Sequence, residues 1–228
     1  MTTKLMGYTM VKTHFVLAFT IAILLLAGST FAQGLAVASN GSETVTFNDK
    51  VGHNQFIWIS DAPLESIKGS SEGVSGTLTL DPRDLSTLRG SVQTKSATMK
   101  TGNATRDNHL QSAEWIDARR FPAIGFTITS MKDVKTSGNI ATGNAIGTFS
   151  LHGVTKTVTI PFKMTYVPES DKTRQRAPGD LVMITADFTI SLKDFNIAGT
   201  EGNIGSKVGE TIKISAQLFG NAEKKSTT

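Results

Sequence analysis

Thr105 to Pro122, TRDNHLQSAEWIDARRFP, gathers more ionisable and aromatic side chains than any other stretch of the chain. An aspartate and a histidine so close suggest an acid–base pair, which with a nucleophile nearby would support hydrolysis. Asp107 and His109 are two residues apart, however, and at that spacing on a helix side chains do not face each other. A nucleophile candidate is Ser71 in GSSEG, Gly69 to Gly73, which matches the G-x-S-x-G pattern. That motif works as a strand, a sharp turn and a helix, and here both flanks alternate like strands, so Ser71 is expected in a loop. Beyond the N-terminal region the histidines are His53, His109 and His152, in three separate segments without the paired spacing of a zinc site. GTEGNIG, Gly199 to Gly205, lacks the Lys-Ser/Thr of a phosphate loop and reads as a flexible connection. These residues call for no metal or cofactor and no catalytic centre, and leave a hydrolase built on Ser71 or His109 as the weakest of three readings.

The elements around these residues are strands. Val158, Ile160, Phe162, Met164 and Tyr166 are apolar at every second position, as are Ile184, Ala186, Phe188, Ile190 and Leu192, and Ile212, Ile214, Ala216 and Leu218. Period two places each set on one face of a strand. Shorter matches run over Val74–Leu80, Gly90–Met99, Ile124–Ser130 and Ala145–Leu151, with TVTFND and NQFIWIS before them. DPRDLSTLRG, KTSGN and LHGVTK supply Gly, Pro, Asp and Ser clusters between them at hairpin-like spacing. Eight or nine sequential strands with one apolar face must close on themselves or on a second sheet, which predicts an antiparallel barrel or a sandwich.

One short helix fits in this pattern, over the opening stretch. Thr105 or Asp107 is its expected cap, Leu110 and Ile116 its apolar face, and Trp115 the plug at one end of the barrel. Asp107 and Glu114 would favour the helix start, and Arg119 and Arg120 its C-terminal end. Val167 to Asp180, VPESDKTRQRAPGD, mixes bases with acids and prolines and is expected to be a solvated loop.

The termini are read separately. Lys4 and Lys12 precede the apolar run FVLAFTIAILLLAG, and STFAQ follows with Thr30 and Ala32 as the small residues of a cleavage site. This is the pattern of a secretory signal peptide over residues 1–32, and the run is shorter than the ~20 residues of a spanning helix. Residues 33–43 are expected to be a flexible lead-in, 44–220 the domain, and 221–228 a disordered tail. Lys4 and Lys12 are two of the 23 basic residues, leaving 21 against 19 acidic ones and a net charge of about +2, too weak a balance to imply nucleic acid. Cysteine is absent, so the domain has neither a disulfide nor the acylated cysteine of a lipoprotein. An exported protein without a stable membrane anchor is expected, in the periplasm first and fully secreted as the alternative.

The order of motifs resembles the YceI family of bacterial polyisoprenoid-binding proteins. The resemblance runs from about Val45 to Leu218 and is carried by RDNHLQSAEWIDARRFPAIGF, GTFSLHGVTKTVTIPF, FTISLKDFNIAG and VGETIKISAQL. It implies a lipocalin-like eight-stranded antiparallel β-barrel, closed at one end by a short helix, with a long apolar cavity for an isoprenoid or other apolar lipid tail and no enzymatic activity. Arg106, Asp107, His109 and Leu110 match the family's Arg-Asp-x-His-Leu segment, and with Trp115 they are expected to be structural. The chain departs from the family pattern at SDAPLE, where a second histidine is usual, at Lys193 in place of Arg, and at Asn196 in place of Gly. Strand phase alone nominates Trp58, Phe126, Phe149, Phe162, Phe188 and Ile190 as cavity lining. The competing reading is a closed, filled barrel serving as a structural or stress-related interaction module.

Overall fold

A computed structural model describes residues 1–2, 34–38 and 41–222. The predicted leader, apart from Met1 and Thr2, and the last six residues lie outside the described residues. Ten strands follow one another: β1 (Glu43–Asn48), β2 (Gln55–Asp61), β3 (Ser66–Glu72), β4 (Ser75–Asp81), β5 (Asp84–Lys95), β6 (Ala123–Ser137), β7 (Ile140–Leu151), β8 (Val154–Val167), β9 (Asp180–Ser191) and β10 (Thr211–Ala222). Helix α1 (Ala104–Gln111) lies between β5 and β6, and the single-turn α2 (Asp171–Arg174) between β8 and β9.

All strand pairings are antiparallel, and the order β1-β4-β5-β6-β7-β8-β9-β10 closes through a β1–β10 pairing. The β2–β3 hairpin continues the β1–β4 wall: β1 pairs with Gly220–Ala222 of β10, and β2 with Gln217 back to Ile212. The ten segments therefore form an eight-stranded closed barrel in which two staves are broken. At the break Asn54, fully buried, accepts from the Phe219 backbone N–H at 2.6 Å, a donor that falls between the two pairings. Its side-chain amide also donates to Gly52 O at 3.2 Å, so both ends of this buried amide have partners at the gap.

The strands form where alternation and β-branching predict. On β8 the positions Ile160, Met164 and Tyr166 are buried, whereas Thr159, Pro161 and Lys163 are more open to solvent. His152 and Gly153 make the two-residue turn between β7 and β8 with φ of +52° and +73°, the left-handed pair that matches strand twist in tight hairpins. A β-carbon on Gly153 would meet the Phe121 ring at 2.3 Å, so the turn also needs glycine for close approach.

The barrel is unevenly filled. At the end formed by β1, β4 and the start of β5, Val45, Phe47, Leu78, Leu80, Leu85, Leu88, Met164 and Val182 pack into a solid core. A second cluster, from Trp58 and Ile67 through Phe149 and Ile190 to Phe195 and Ile197, lines the opposite half.

Several expectations need correction. Asp84 to Gly90 belong to β5 rather than to a turn, because a bulge in the β4–β5 ladder shifts the phase and lets both Leu85 and Leu88 face inward. Ser71 is in β3, buried, and not in a loop. The lead-in is tied down where it is described: Leu35 is buried, its N–H donates to Pro82 O, and Ala36 N–H donates to Gly138 O. At the other end Asn221 and Ala222 are buried members of β10, so order extends two residues into the expected tail. The stretch 167–180 holds α2 behind a Ser170–Thr173 capping box, and Arg176 stacks over Phe219 at 5.8 Å and donates to Val51 O.

Candidate ligand cavity

The opening stretch sits at the hollow end. Asn103 caps α1, its side chain accepting from Arg106 N–H at 3.0 Å, in the place expected for Thr105 or Asp107. Asp107 instead accepts from the backbone N–H and the hydroxyl of Thr101, both at 2.6 Å, and pins the preceding loop to the helix. These two hydrogen bonds hold its carboxyl below the ordinary carboxylate value. The helix ends at Gln111, so Trp115, Arg119 and Arg120 lie on the turns beyond it and do not act on its C-terminal end. Ile116, rather than the half-buried Trp115, is the buried residue of this segment. Glu114 anchors the turn to the 199–208 connection, accepting from Thr200 Oγ1 at 2.9 Å and, through its carbonyl, from Gly199 N–H. That connection is held by its own hydrogen bonds, with three backbone N–H groups and the Ser206 hydroxyl converging on Asn203 O.

Below this cover lies a cavity of about 470 Å³, within the ~300–1,000 Å³ usual for small-molecule sites. At ~30 Å³ for a water-sized group, it has room for on the order of fifteen carbons. Its walls are apolar, with Trp58, Ile67, Phe149, Phe188, Ile190 and Ile212 prominent, and its rim is polar, with Glu65, Thr101, Asn103, Arg106, His109 and Lys207. Across the rim Arg106 Nη2 and Glu65 Oε1 form an ion pair at 2.9 Å. A smaller cavity of about 80 Å³ lies toward the filled end.

Strand phase distributes the six nominated residues over both spaces. Trp58, Phe149, Phe188 and Ile190 line the large cavity, Phe126 and Phe162 line only the small one, and Phe149 and Phe188 line both. Arg106, His109, Leu110 and Trp115 also face the large cavity, while Asp107 is turned to Thr101. Phe56, absent from the six although its alternation with Trp58 and Ser60 signals it, also lines both spaces. Ile197 comes from an irregular segment where period two gives no signal, and Met99, expected at the end of a strand over Gly90–Met99, lies beyond the end of β5 at Lys95.

Two polar features interrupt the apolar wall. Ser71 Oγ lies 2.8 Å from both Thr94 Oγ1 and Thr98 Oγ1, with the threonines further bonded to the Glu72 carbonyl. The partners of Ser71 are thus threonine hydroxyls and not an imidazole, which is structure rather than a nucleophile–base pair. Trp58 Nε1 is the one buried side-chain polar atom without a partner among the described residues. His152, at its turn, donates from Nδ1 to Phe195 O at 3.0 Å and meets Phe121 edge-on at 5.1 Å. Asn196 has φ of +55°, a left-handed position that asparagine tolerates in place of the glycine usual in the family the sequence resembles. No group of three or more His, Asp or Glu placed to hold a metal ion occurs among the described residues.

Known proteins share this fold. A Campylobacter jejuni YceI protein aligns with a TM-score of 0.58 at 22% identity, over 72% of this chain and 90% of that one. Burkholderia cenocepacia BcnA aligns with a TM-score of 0.55 at 17% identity, over 78% and 95%. A polyisoprenoid binding domain from Saccharophagus degradans, implicated in plant cell wall breakdown, aligns with a TM-score of 0.57 at 11% identity, over 80% and 99%. In sequence, a UPF0312 protein of Pseudomonas putida (strain W619) is 32% identical over 182 residues, 79% of this chain and 88% of the relative. Protein YceI of Salmonella newport (strain SL254) is 31% identical over 199 residues, 87% of this chain and 94% of the relative. With the YceI-like domain matched across residues 40–219, nearly the whole of the barrel, the chain belongs to the YceI-like family.

Proposed function

We propose that this protein is an exported, non-enzymatic binding protein that holds the apolar tail of a lipid, a polyisoprenoid first among them, in the hollow half of its barrel. The observation that carries this reading is the 470 Å³ apolar cavity under a polar rim. An amphipathic lipid fits such a site, its tail leaving water while its head stays at the rim. The polyisoprenoid binding domain of Saccharophagus degradans, which shares the fold, supports the choice of tail. Burial of about fifteen carbons at ~0.8 kcal/mol each gives roughly 12 kcal/mol gross. Against an association cost of at least ~4 kcal/mol, at most about 8 kcal/mol remains, which corresponds to micromolar affinity or weaker.

Export rests on the leader pattern of residues 1–32, which delivers the chain beyond the inner membrane once cut after Ala32. Native mass spectrometry of the protein purified from an expressing cell, followed by organic extraction, tests the binding reading. A prenyl lipid at about one per chain is the expected result. A protein that emerges empty and takes up no added farnesol would sink the proposal. N-terminal sequencing of the same material checks the cleavage site.

A further inference from the structure

The large and small cavities share the side chains Phe56, Ile124, Phe149 and Phe188. These residues divide the lumen: the mouth side holds about 470 Å³, and the far side about 80 Å³ before the solid core begins. Register explains why a void persists there. Phe56 stands opposite Ala216, Ala216 opposite Ala186, and Ala186 opposite Phe162, so two small side chains lie between two rings across four neighbouring strands. The divider is braced on one side. Phe149 meets Phe188 edge-on at 5.8 Å and 74°, and meets the buried Phe195 edge-on at 5.5 Å and 81°.

We infer that Phe56, Phe149 and Phe188 form a septum that sets the length of tail the barrel accepts, at about three isoprene units. The inference rests on the lipid-binding reading above and adds a limit to it. Fifteen carbons at ~30 Å³ each fill the mouth-side space. A longer tail has only the 80 Å³ beyond the rings, and Phe149 and Phe188 must swing aside from their edge-on contact to admit it. Each further methylene that is fully buried multiplies affinity by about fourfold. Affinity therefore climbs steeply with chain length until the tail reaches the septum, and then stops, because additional units stay at the mouth in water.

The test is a length series of prenyl alcohols, geraniol, farnesol, geranylgeraniol and solanesol, titrated into the full chain purified free of lipid. Farnesol is expected to bind at least tenfold more tightly than geraniol, with geranylgeraniol and solanesol within about twofold of farnesol. Phe188→Ala, or the milder Phe188→Leu, moves the plateau to geranylgeraniol or beyond, and Ile190→Phe, which narrows the mouth-side space, moves it toward geraniol. An affinity that keeps rising to solanesol in the unaltered chain overturns the septum while leaving lipid binding intact. The septum is equally overturned if Phe188→Leu reproduces the unaltered length profile. Failure of every alcohol to bind overturns the binding reading itself and the septum with it. The unaltered chain decides the matter even if the alanine variant does not fold.

Discussion

Arg106 on α1 reaches across the cavity rim to Glu65 in the β2–β3 turn, with Nη2 2.9 Å from Oε1. This ion pair joins the helix to the opposite wall, alongside the Gln111 amide bonds to the Ala97 and Met99 carbonyls. Both side chains are more than a third exposed, at 37% and 38%, so solvent screens the pair. A pair of this kind contributes about 0–1 kcal/mol to stability.

Arg106→Gln should therefore leave the melting temperature nearly unchanged and speed ligand release, since the rim loses a tie without losing core. Stopped-flow displacement of a fluorescent prenyl probe measures it. One molar salt, which shortens the screening length to ~3 Å, should bring the unaltered protein toward the variant's rate. Equal release rates in the two proteins at low salt would show that the pair does not hold the rim.

Asp107 carries the pH dependence of the same region. Hydrogen bonds from the Thr101 hydroxyl and backbone N–H lower its folded pKa below the value of about 3.9 for a free aspartate. A depressed folded value means that the stabilisation is present above the unfolded pKa and is lost as pH falls through the folded one. The loop before α1 should thus stay attached at neutral pH and loosen only under strong acid. Carboxyl-carbon NMR of Asp107 should show a titration below the free value, moving upward in Thr101→Ala. A titration at the free value in the unaltered chain would contradict the geometry.

At the filled end, Tyr166 Oη lies 2.6 Å from Asp180 Oδ2 and 2.7 Å from Glu43 Oε2, and both Tyr166 and Asp180 are almost wholly buried. Tyr166→Phe removes a hydrogen bond to a buried carboxyl and leaves the acid short of a partner, at a cost of about 1.5–3 kcal/mol. For a domain of this size that is roughly a 3–12 °C fall in melting temperature. Farnesol affinity should be unchanged, because neither cavity includes Tyr166. A loss of binding in the folded variant would show that the two halves of the barrel are coupled.

Much of this is legible in the sequence because a strand with one wet face must alternate. The long runs of β8, β9 and β10 are found where period two places them, except that β9 ends at Ser191 and Leu192 opens a 3-10 turn, and so is the inward set Phe162, Phe188 and Ile190. What alternation does not carry is height along the barrel. Phe162 and Phe126 share the inward face with Trp58, yet they line the deep space and not the mouth. Bulges are equally hidden, since the phase shift that turns Leu85 and Leu88 inward looks like a turn-rich stretch. The rim is legible only in part: TRDNHLQSAEWIDARRFP signals a helix, but its cap, Asn103, lies just outside the stretch, and its deepest residue is Ile116. The large area of Trp115 points to it as the plug, but area says how much can be buried and not where.

The fit between Trp58 and Gly69 tests the cavity wall directly. The two residues are cross-strand partners, and a β-carbon on Gly69 would fall 2.1 Å from Trp58 Cζ2 and 2.7 Å from the Lys100 carbonyl. Gly69→Ala must displace the indole, and overpacking of this kind costs about 1–3 kcal/mol. Because Trp58 lines the large cavity, its displacement should cut farnesol affinity, by about fifteenfold if it removes the room for two methylenes. Tryptophan fluorescence gives the readout, since Trp58 and Trp115, the two tryptophans of the chain, both line this space. In the unaltered protein the emission should shift as farnesol enters, and Trp115→Phe should retain most of that response while Gly69→Ala blunts it. A folded Gly69→Ala variant with unaltered affinity and an unaltered shift would place the tail elsewhere than against Trp58.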